Sequence, residues 1–104
     1  MSIPFDPYFV DILMPDLVGH DRSPSAFVVY LYLWRRASLA SRGAVQASYA
    51  TIALETGLSK TSAQRAVALL RQRGLVSAKT ASVTSVPEYT VLRPWMGRLR
   101  AGTA

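Results

Sequence analysis

The sequence predicts a single domain of mainly α-helical α+β fold, with three core helices and a small β-hairpin. Two short helical patterns meet at Gly57 in the middle of the chain. A long helical pattern, apolar on nearly all sides, precedes them from Ser25 onward. Two strand-like segments follow Gly74. With 104 residues the chain is long enough for one modest core and too short for a second module.

Composition excludes several classes of protein. Hydrophobic residues make up 50% and charged residues 17% of the chain, which is typical of a globular domain. With no cysteine and one histidine, the sequence predicts no disulfide, no metal site and no cofactor. No nucleophile–base pair, paired carboxylates or phosphate-binding glycine loop is visible, so no enzymatic activity is predicted.

The hydropathy pattern predicts a cytoplasmic protein, with a bacterial source as the default. The longest apolar run, Ala26 to Trp34, has nine residues, about half the length of a bilayer span. No basic segment precedes an apolar stretch at the start, so no signal peptide is predicted. We therefore expect no membrane partner.

The net charge of +6 is unevenly distributed. Four aspartates precede Arg22, whereas from Arg22 onward 12 Lys and Arg residues face only Glu55 and Glu88, a formal charge of +10. A basic body of this kind fits a polyanionic partner, although an ordinary basic protein is the simpler alternative.

The first 22 residues form an apolar and acidic lead-in. Pro4, Pro7 and Pro15 predict that no single long helix forms here, leaving two helical turns or a short strand between the last two. This segment holds too many large apolar side chains to remain in water, among them Phe5, Tyr8, Phe9, Ile12, Leu13, Met14, Leu17 and Val18. They either dock on a second subunit, which we favour, or cover the body of their own chain. His20 is expected to be a solvated histidine in a polar linker, His20 to Arg22.

The next segment, which opens the predicted domain at residues 23–92, is expected to be a central helix. Ser23 provides an N-cap and Pro24 suits the first helical position. Because the helix is apolar almost all round, it must pack on the motif helices on one side. Its other side is expected to meet the N-terminal segment or a second subunit. Tyr30, Tyr32 and Trp34 are interpreted as core or interface side chains rather than a ligand cage.

The two motif helices have clear start and stop signals. Ser48 and Ser59 are N-caps, and Gly57 provides the left-handed residue at which the first helix reverses. A short strand, residues 44–47, leads into Ser48. The second helix has a core face and a polar face. The core face consists of Ala63, Val67 and Leu70 and the polar face of Thr61, Gln64, Arg65, Ala68 and Gln72.

A β-hairpin is predicted after the second motif helix. Residues 75–79 alternate in polarity, residues 87–92 are rich in β-formers, and the tip between them is small and hydroxylated. The tip is either a binding element or simply a flexible loop. The basic tail, residues 93–104, suggests either an added DNA contact or packing of Trp95 under a partner subunit.

Together these residues resemble the winged helix-turn-helix signature of GntR-type and MarR-type bacterial regulators and of some plasmid and phage replication initiators. The resemblance extends over residues 23–92, with Ala63 a departure because those families usually have Val or Ile there. The matching positions are Ile52, Ala53, Thr56, Gly57, Leu58, Ser59, Arg65, Ala66, Val67, Leu70, Gly74, Leu75 and Val76.

The resemblance implies a recognition helix at residues 59–73 in the major groove of double-stranded DNA and a wing at residues 75–92. Arg65 would read guanine and Gln64 adenine, whereas Arg71 and Arg73, nearer the far end, would steer the approach. The expected DNA-binding residues are Ser48, Tyr49, Ser59, Lys60, Thr61, Ser62, Gln64, Arg65, Arg71, Lys79, Thr80 and Ser82.

The predicted function is that of a small homodimeric transcriptional regulator. Two alternatives remain: a winged helix that binds another protein, and the DNA-binding part of a replication or partition complex. The polar face of the second motif helix favours DNA over a protein, because Ala68 is its single apolar residue. The sequence leaves the target site, the regulated process and any small-molecule effector undetermined.

Overall fold

The computed structural model describes residues 6–40, 43–80, 82 and 86–95. Two π-helical segments open the described chain, followed by three α-helices and three strands. In chain order these elements are π1 (Phe9–Leu13), π2 (Pro15–His20), α1 (Pro24–Leu39), β1 (Ala44–Gln46), α2 (Tyr49–Thr56), α3 (Lys60–Gln72), β2 (Val76–Lys79) and β3 (Glu88–Val91).

Helix α1 is the centre of the fold, as predicted. Ser23 caps its N-terminus by accepting a hydrogen bond from the backbone N–H of Ala26 (3.3 Å). Val29, Tyr30 and Leu33 are fully buried, and α1 packs against α3, π2 and the sheet. The Tyr30 hydroxyl donates to the carbonyl of Leu92 (2.9 Å), which satisfies its polar end. Burial raises the pKa of Tyr30 well above its ordinary value.

The motif helices α2 and α3 form as their caps predict. Ser48 Oγ accepts from Thr51 N (3.1 Å), and Ser59 Oγ accepts from Ser62 N (3.0 Å). Between the helices, Gly57 takes a left-handed conformation with φ 83°. Because an L side chain rarely adopts that conformation, glycine is required at this corner. The buried face of α3 consists of Ala63, Ala66, Val67 and Leu70.

The predicted hairpin is part of a three-stranded antiparallel sheet with strand order β1-β3-β2. Tyr89 lies in the central strand, paired with Val45 on one side and Ala78 on the other. The predicted α+β fold of three helices and a wing is confirmed. Of the predicted tip, Ala81, Val83, Thr84 and Ser85 lie outside the described residues.

The N-terminal segment corrects one expectation. Pro15 does not end the helical path: Met14 has α-helical backbone angles and joins π1 to π2. Pro15 is tolerated because it starts π2, where its missing N–H needs no acceptor. Phe9, Leu13 and Leu17 are buried against their own chain, so this stripe covers the body.

Trp95, for which packing under a partner subunit was one of two alternatives, packs within its own chain. Its ring stacks on Tyr8 with centroids 4.2 Å apart, and Nε1–H donates to Asp6 (3.0 Å). Phe9 meets Trp95 edge-on at 6.0 Å. The first and last described segments are thereby joined over α1. The tail arginines Arg98 and Arg100 lie outside the described residues.

Candidate nucleic-acid interface

The outer face of α3 carries the predicted base-reading residues. Lys60, Thr61, Gln64 and Arg65 are all exposed, while the opposite face of the helix is buried against α1 and α2. Within the part of the chain that the structure describes, neither Lys60 nor Arg65 has an ion-pair partner. Their charges are therefore available to an external anion.

The serine hydroxyls at the two helix starts are already engaged. Besides accepting from the backbone, Ser48 donates to Thr51 Oγ1 and Ser59 donates to Ser62 Oγ, both at 3.0 Å. These side chains organise the helix N-termini. A phosphate approaching either start would meet backbone N–H groups more readily than the cap hydroxyls.

A cleft of about 210 Å³ joins the start of α2, the end of α3 and the base of the wing. It brings together three of the predicted DNA-binding residues, Tyr49, Arg71 and Thr80. Its remaining lining consists of Ala78, Pro87 and Tyr89. Elements far apart in sequence thus form one concave surface beside α3.

The wing presents a mixed surface. Lys79 is exposed and lies directly opposite Glu88 in the strand register, so its charge is partly offset across the ladder. Thr80 and Ser82 are exposed beyond it. The base of the wing therefore offers hydroxyl donors with a weaker positive charge than α3.

Comparison with known families agrees with this geometry. A family model described as a helix-turn-helix domain matches residues 23–76, just over half of the 104-residue chain. The chain belongs to the helix-turn-helix domain family. No curated protein and no solved structure matches it. The match spans α1 to the start of β2, so α2 and α3 are the helix-turn-helix pair, and DNA is the indicated partner.

The family match identifies a helix-turn-helix domain and no particular subfamily. The matching model describes a general helix-turn-helix domain and does not distinguish GntR-type or MarR-type regulators from replication initiators. None of the helices in the described ranges is long and apolar enough to cross a membrane.

Arg73, at the end of the recognition helix, contradicts the steering role predicted for it. Its guanidinium donates to the carboxylates of both Asp16 and Asp21. The hydrogen bond that Arg73 donates to Asp16 is the main reason that the pKa of Arg73 is raised. A guanidinium held by two carboxylates has little charge left for DNA, so this residue instead ties π2 to α3.

His20 is exposed, as predicted, but it is not in a linker and it has acidic neighbours. It closes π2, and its Nδ1 lies 3.0 Å from Asp21 and 3.9 Å from Asp16. This trio could geometrically hold a metal ion. Because both carboxylates already bind Arg73, the trio is better described as part of that ion-pair network.

Tyr89 is the residue of this surface that sequence reasoning missed. Its side chain is buried in the central strand and lines the cleft together with Tyr49. Burial is the largest cause of its raised pKa, followed by Tyr49, while the nearby Arg71 acts in the opposite direction. Nothing in the local pattern of β3 distinguishes Tyr89 from an ordinary core tyrosine, because the cleft exists only after α2, α3 and the sheet have packed together.

Proposed function

We propose that the protein binds double-stranded DNA sequence-specifically and acts as a small dimeric transcriptional regulator. In this proposal α3 (recognition helix, residues 59–73) enters the major groove and the wing (residues 75–92) follows the adjacent backbone. One observation carries the proposal. Among the described residues, the N-terminal half of α3 presents an amide and cationic side chains without ion-pair partners, on a face free of large apolar groups.

The chemistry of that face fits base recognition. Arg65 offers the planar pair of donors that matches guanine O6 and N7, and Gln64 offers the donor and acceptor that match adenine. Lys60 and Ser62 lie in the first turn, where phosphate contacts would set the register of the helix on the duplex.

The support for a dimer comes from the N-terminal segment. Val10, Met14 and Val18 recur every four residues along π1 and π2 and remain exposed beside the buried stripe of Phe9, Leu13 and Leu17. Ile12 adds a further exposed apolar group. A second copy covering this stripe would remove it from water and would place two recognition helices on one duplex.

Two alternatives use the same fold differently. A protein-interaction module would expose apolar side chains on the outer face of α3, where this chain has polar and cationic ones. A subunit of a replication or partition complex would bind DNA through the same face, and it differs from a regulator only in its protein partners.

Electrophoretic mobility shift against genomic fragments, run beside a sizing column, tests the proposal. We expect a subset of fragments to be retarded in the presence of excess competitor DNA, and the protein to elute as a dimer. Absence of any retardation at low salt would exclude the DNA-binding function and favour a protein partner.

The Arg65→Ala variant should lose site preference while keeping nonspecific binding. Loss of one bidentate base contact costs about 1–3 kcal/mol of discrimination, which is roughly a 5- to 150-fold drop in the ratio of specific to nonspecific affinity. The measurement is the affinity for a selected fragment and for a scrambled duplex of equal length, in wild type and variant.

Gln72→Ala is the matched control for this experiment. Gln72 is exposed at the other end of the same helix, so its loss should leave the affinity ratio unchanged. Unaltered selectivity in Arg65→Ala, with binding otherwise intact, would show that Arg65 does not read a base.

A further inference from the structure

The cleft between α2, α3 and the wing has features that base reading by α3 does not require. Three of its lining residues belong to different elements: Tyr49 is the first residue of α2, Arg71 lies in the last turn of α3, and Thr80 directly follows β2. The cleft is about 210 Å³ in volume, large enough for a small polar group rather than for a base pair.

The cleft carries a positive charge. Within the described ranges, Arg71 forms no ion pair, whereas Arg73, two residues further along, is held by Asp16 and Asp21. The other residues with polar side chains that line the cleft are Tyr49, Thr80 and Tyr89, each with a hydroxyl group. One guanidinium surrounded by neutral hydroxyl donors suits a singly charged oxyanion.

A buried residue of the sheet, Tyr89, forms one wall of the cleft. Tyr89 is only 1% exposed and lies in the central strand, flanked by Val45 and Ala78. Tyr89 lines the cleft together with Tyr49 and Arg71, and both neighbours act on the pKa of its hydroxyl. This buried side chain gives Tyr49 a rigid neighbour in the cleft wall, so less ordering is needed when a ligand binds.

We propose that this cleft binds one phosphate group, which in the complex is a phosphodiester of the DNA backbone beside the wing. Arg71 supplies the charge, Tyr49 and Thr80 donate hydrogen bonds, and Tyr89 is a positioning residue that orients Tyr49. The proposal rests on the DNA-binding function and adds a contact that ties α2, α3 and the wing to the same strand. It replaces the steering role predicted for Arg71 with a direct contact.

The salt dependence of duplex binding tests whether the charge of Arg71 contacts a DNA phosphate. Each phosphate contact contributes about 0.9 to the slope of log affinity against log salt. We expect the slope of Arg71→Gln to be shallower than that of wild type by about this amount. Arg35→Gln removes an equal charge from α1, which packs on the buried face of α3, and should leave the slope unchanged.

The outcomes separate this proposal from the proposed function. If wild type binds duplex DNA with a steep slope and Arg71→Gln has the same slope, the cleft does not bind a phosphate although the protein binds DNA. If Arg71→Gln and Arg35→Gln reduced the slope equally, Arg71 would act only through its contribution to the overall charge, and the direct phosphate contact would be wrong. If wild type does not bind DNA at all, the proposed function fails first.

Tyr89→Phe and Tyr49→Phe test the positioning role. Each variant removes one hydroxyl and no charge, so affinity should fall several-fold with the slope unchanged. If Tyr89 acts through Tyr49, the double variant should lose no more than Tyr49→Phe alone. Additive losses would overturn the positioning role, and thermal unfolding of each variant confirms that the core is retained.

Inorganic phosphate distinguishes the backbone from a free ligand. The probe is a titration of inorganic phosphate followed through the amide resonances of Tyr49 and Thr80. If inorganic phosphate does not saturate the cleft, and Arg71→Gln has the shallower salt slope in duplex binding, the bound group is a phosphate of the DNA backbone. Saturation at low millimolar phosphate without competition by duplex DNA would assign the cleft to a free ligand and overturn the backbone assignment.

Discussion

Raising the salt concentration from about 50 to 200 mM should weaken duplex binding about a thousand-fold if about six phosphates are contacted. The reason is the release of counterions from DNA as cationic side chains neutralise its phosphates. From Arg22 onward the chain has a formal charge of +10, from 12 basic and 2 acidic residues. Among the described residues, Lys60, Arg65 and Arg71 have no ion-pair partner that would weaken this effect.

The measurement is fluorescence anisotropy of a labelled duplex at a series of salt concentrations. A sizing run at each concentration ensures that dissociation of a dimer is not mistaken for weaker DNA binding. Lys60→Gln should reduce the slope by about 0.9, whereas the Arg35→Gln control should not. Binding that stays constant across this range would contradict a nucleic-acid role for the whole protein.

The structure also shows why the formal charge overstates the charge available to DNA. Arg73 forms ion pairs with Asp16 and Asp21. Arg36 donates from its guanidinium to Glu55 Oε1 at 2.6 Å, and the Tyr32 hydroxyl donates to the same carboxylate. These cations already have anionic partners and would neutralise fewer DNA phosphates, so fewer counterions would be released from the DNA. Variants at Arg36 or Arg73 should therefore change the salt slope less than variants at Arg71.

The helix-turn-helix could be predicted because its signals are local. Each serine cap bonds a backbone group three residues later, and Gly57 takes its left-handed angle at the corner itself. The helical spacing of Ala63, Val67 and Leu70 then defines the buried face of α3 without reference to the rest of the chain. The polar outer face, and the base-reading residues proposed on it, follow from the same periodicity.

The N-terminal segment could not be predicted in the same way, because its partners are distant in sequence. Trp95 donates to Asp6 across 89 positions, and Arg73 reaches Asp16 across 57. Apolar periodicity shows that a segment must be covered, but it does not show by what. The cleft was missed for the same reason: Tyr49, Arg71 and Tyr89 belong to three elements that meet only in the folded chain.

The Phe9→Ala variant should lose about 3–5 kcal/mol of the free energy of unfolding. Phe9 is fully buried and meets Tyr30, Trp34 and Trp95 edge-on, with centroids 5.2–6.0 Å apart. Truncation would leave a cavity at the point where the N-terminal segment, α1 and the end of the described chain join. Urea unfolding of wild type and variant, at concentrations where both are monomeric, measures this loss.

Variants at the neighbouring Val10 distinguish the two roles proposed for the N-terminal segment, which are covering its own chain and forming a dimer interface. Val10 belongs to the exposed stripe, so in the monomer its truncation should change the unfolding free energy by no more than about 0.5 kcal/mol. Val10→Glu should instead weaken self-association, because a carboxylate would be buried in the proposed interface. A stability loss in Val10→Ala as large as that in Phe9→Ala would contradict the burial pattern of π1. Unchanged association in Val10→Glu would remove this stripe from the dimer and leave the N-terminal segment acting as a lid alone.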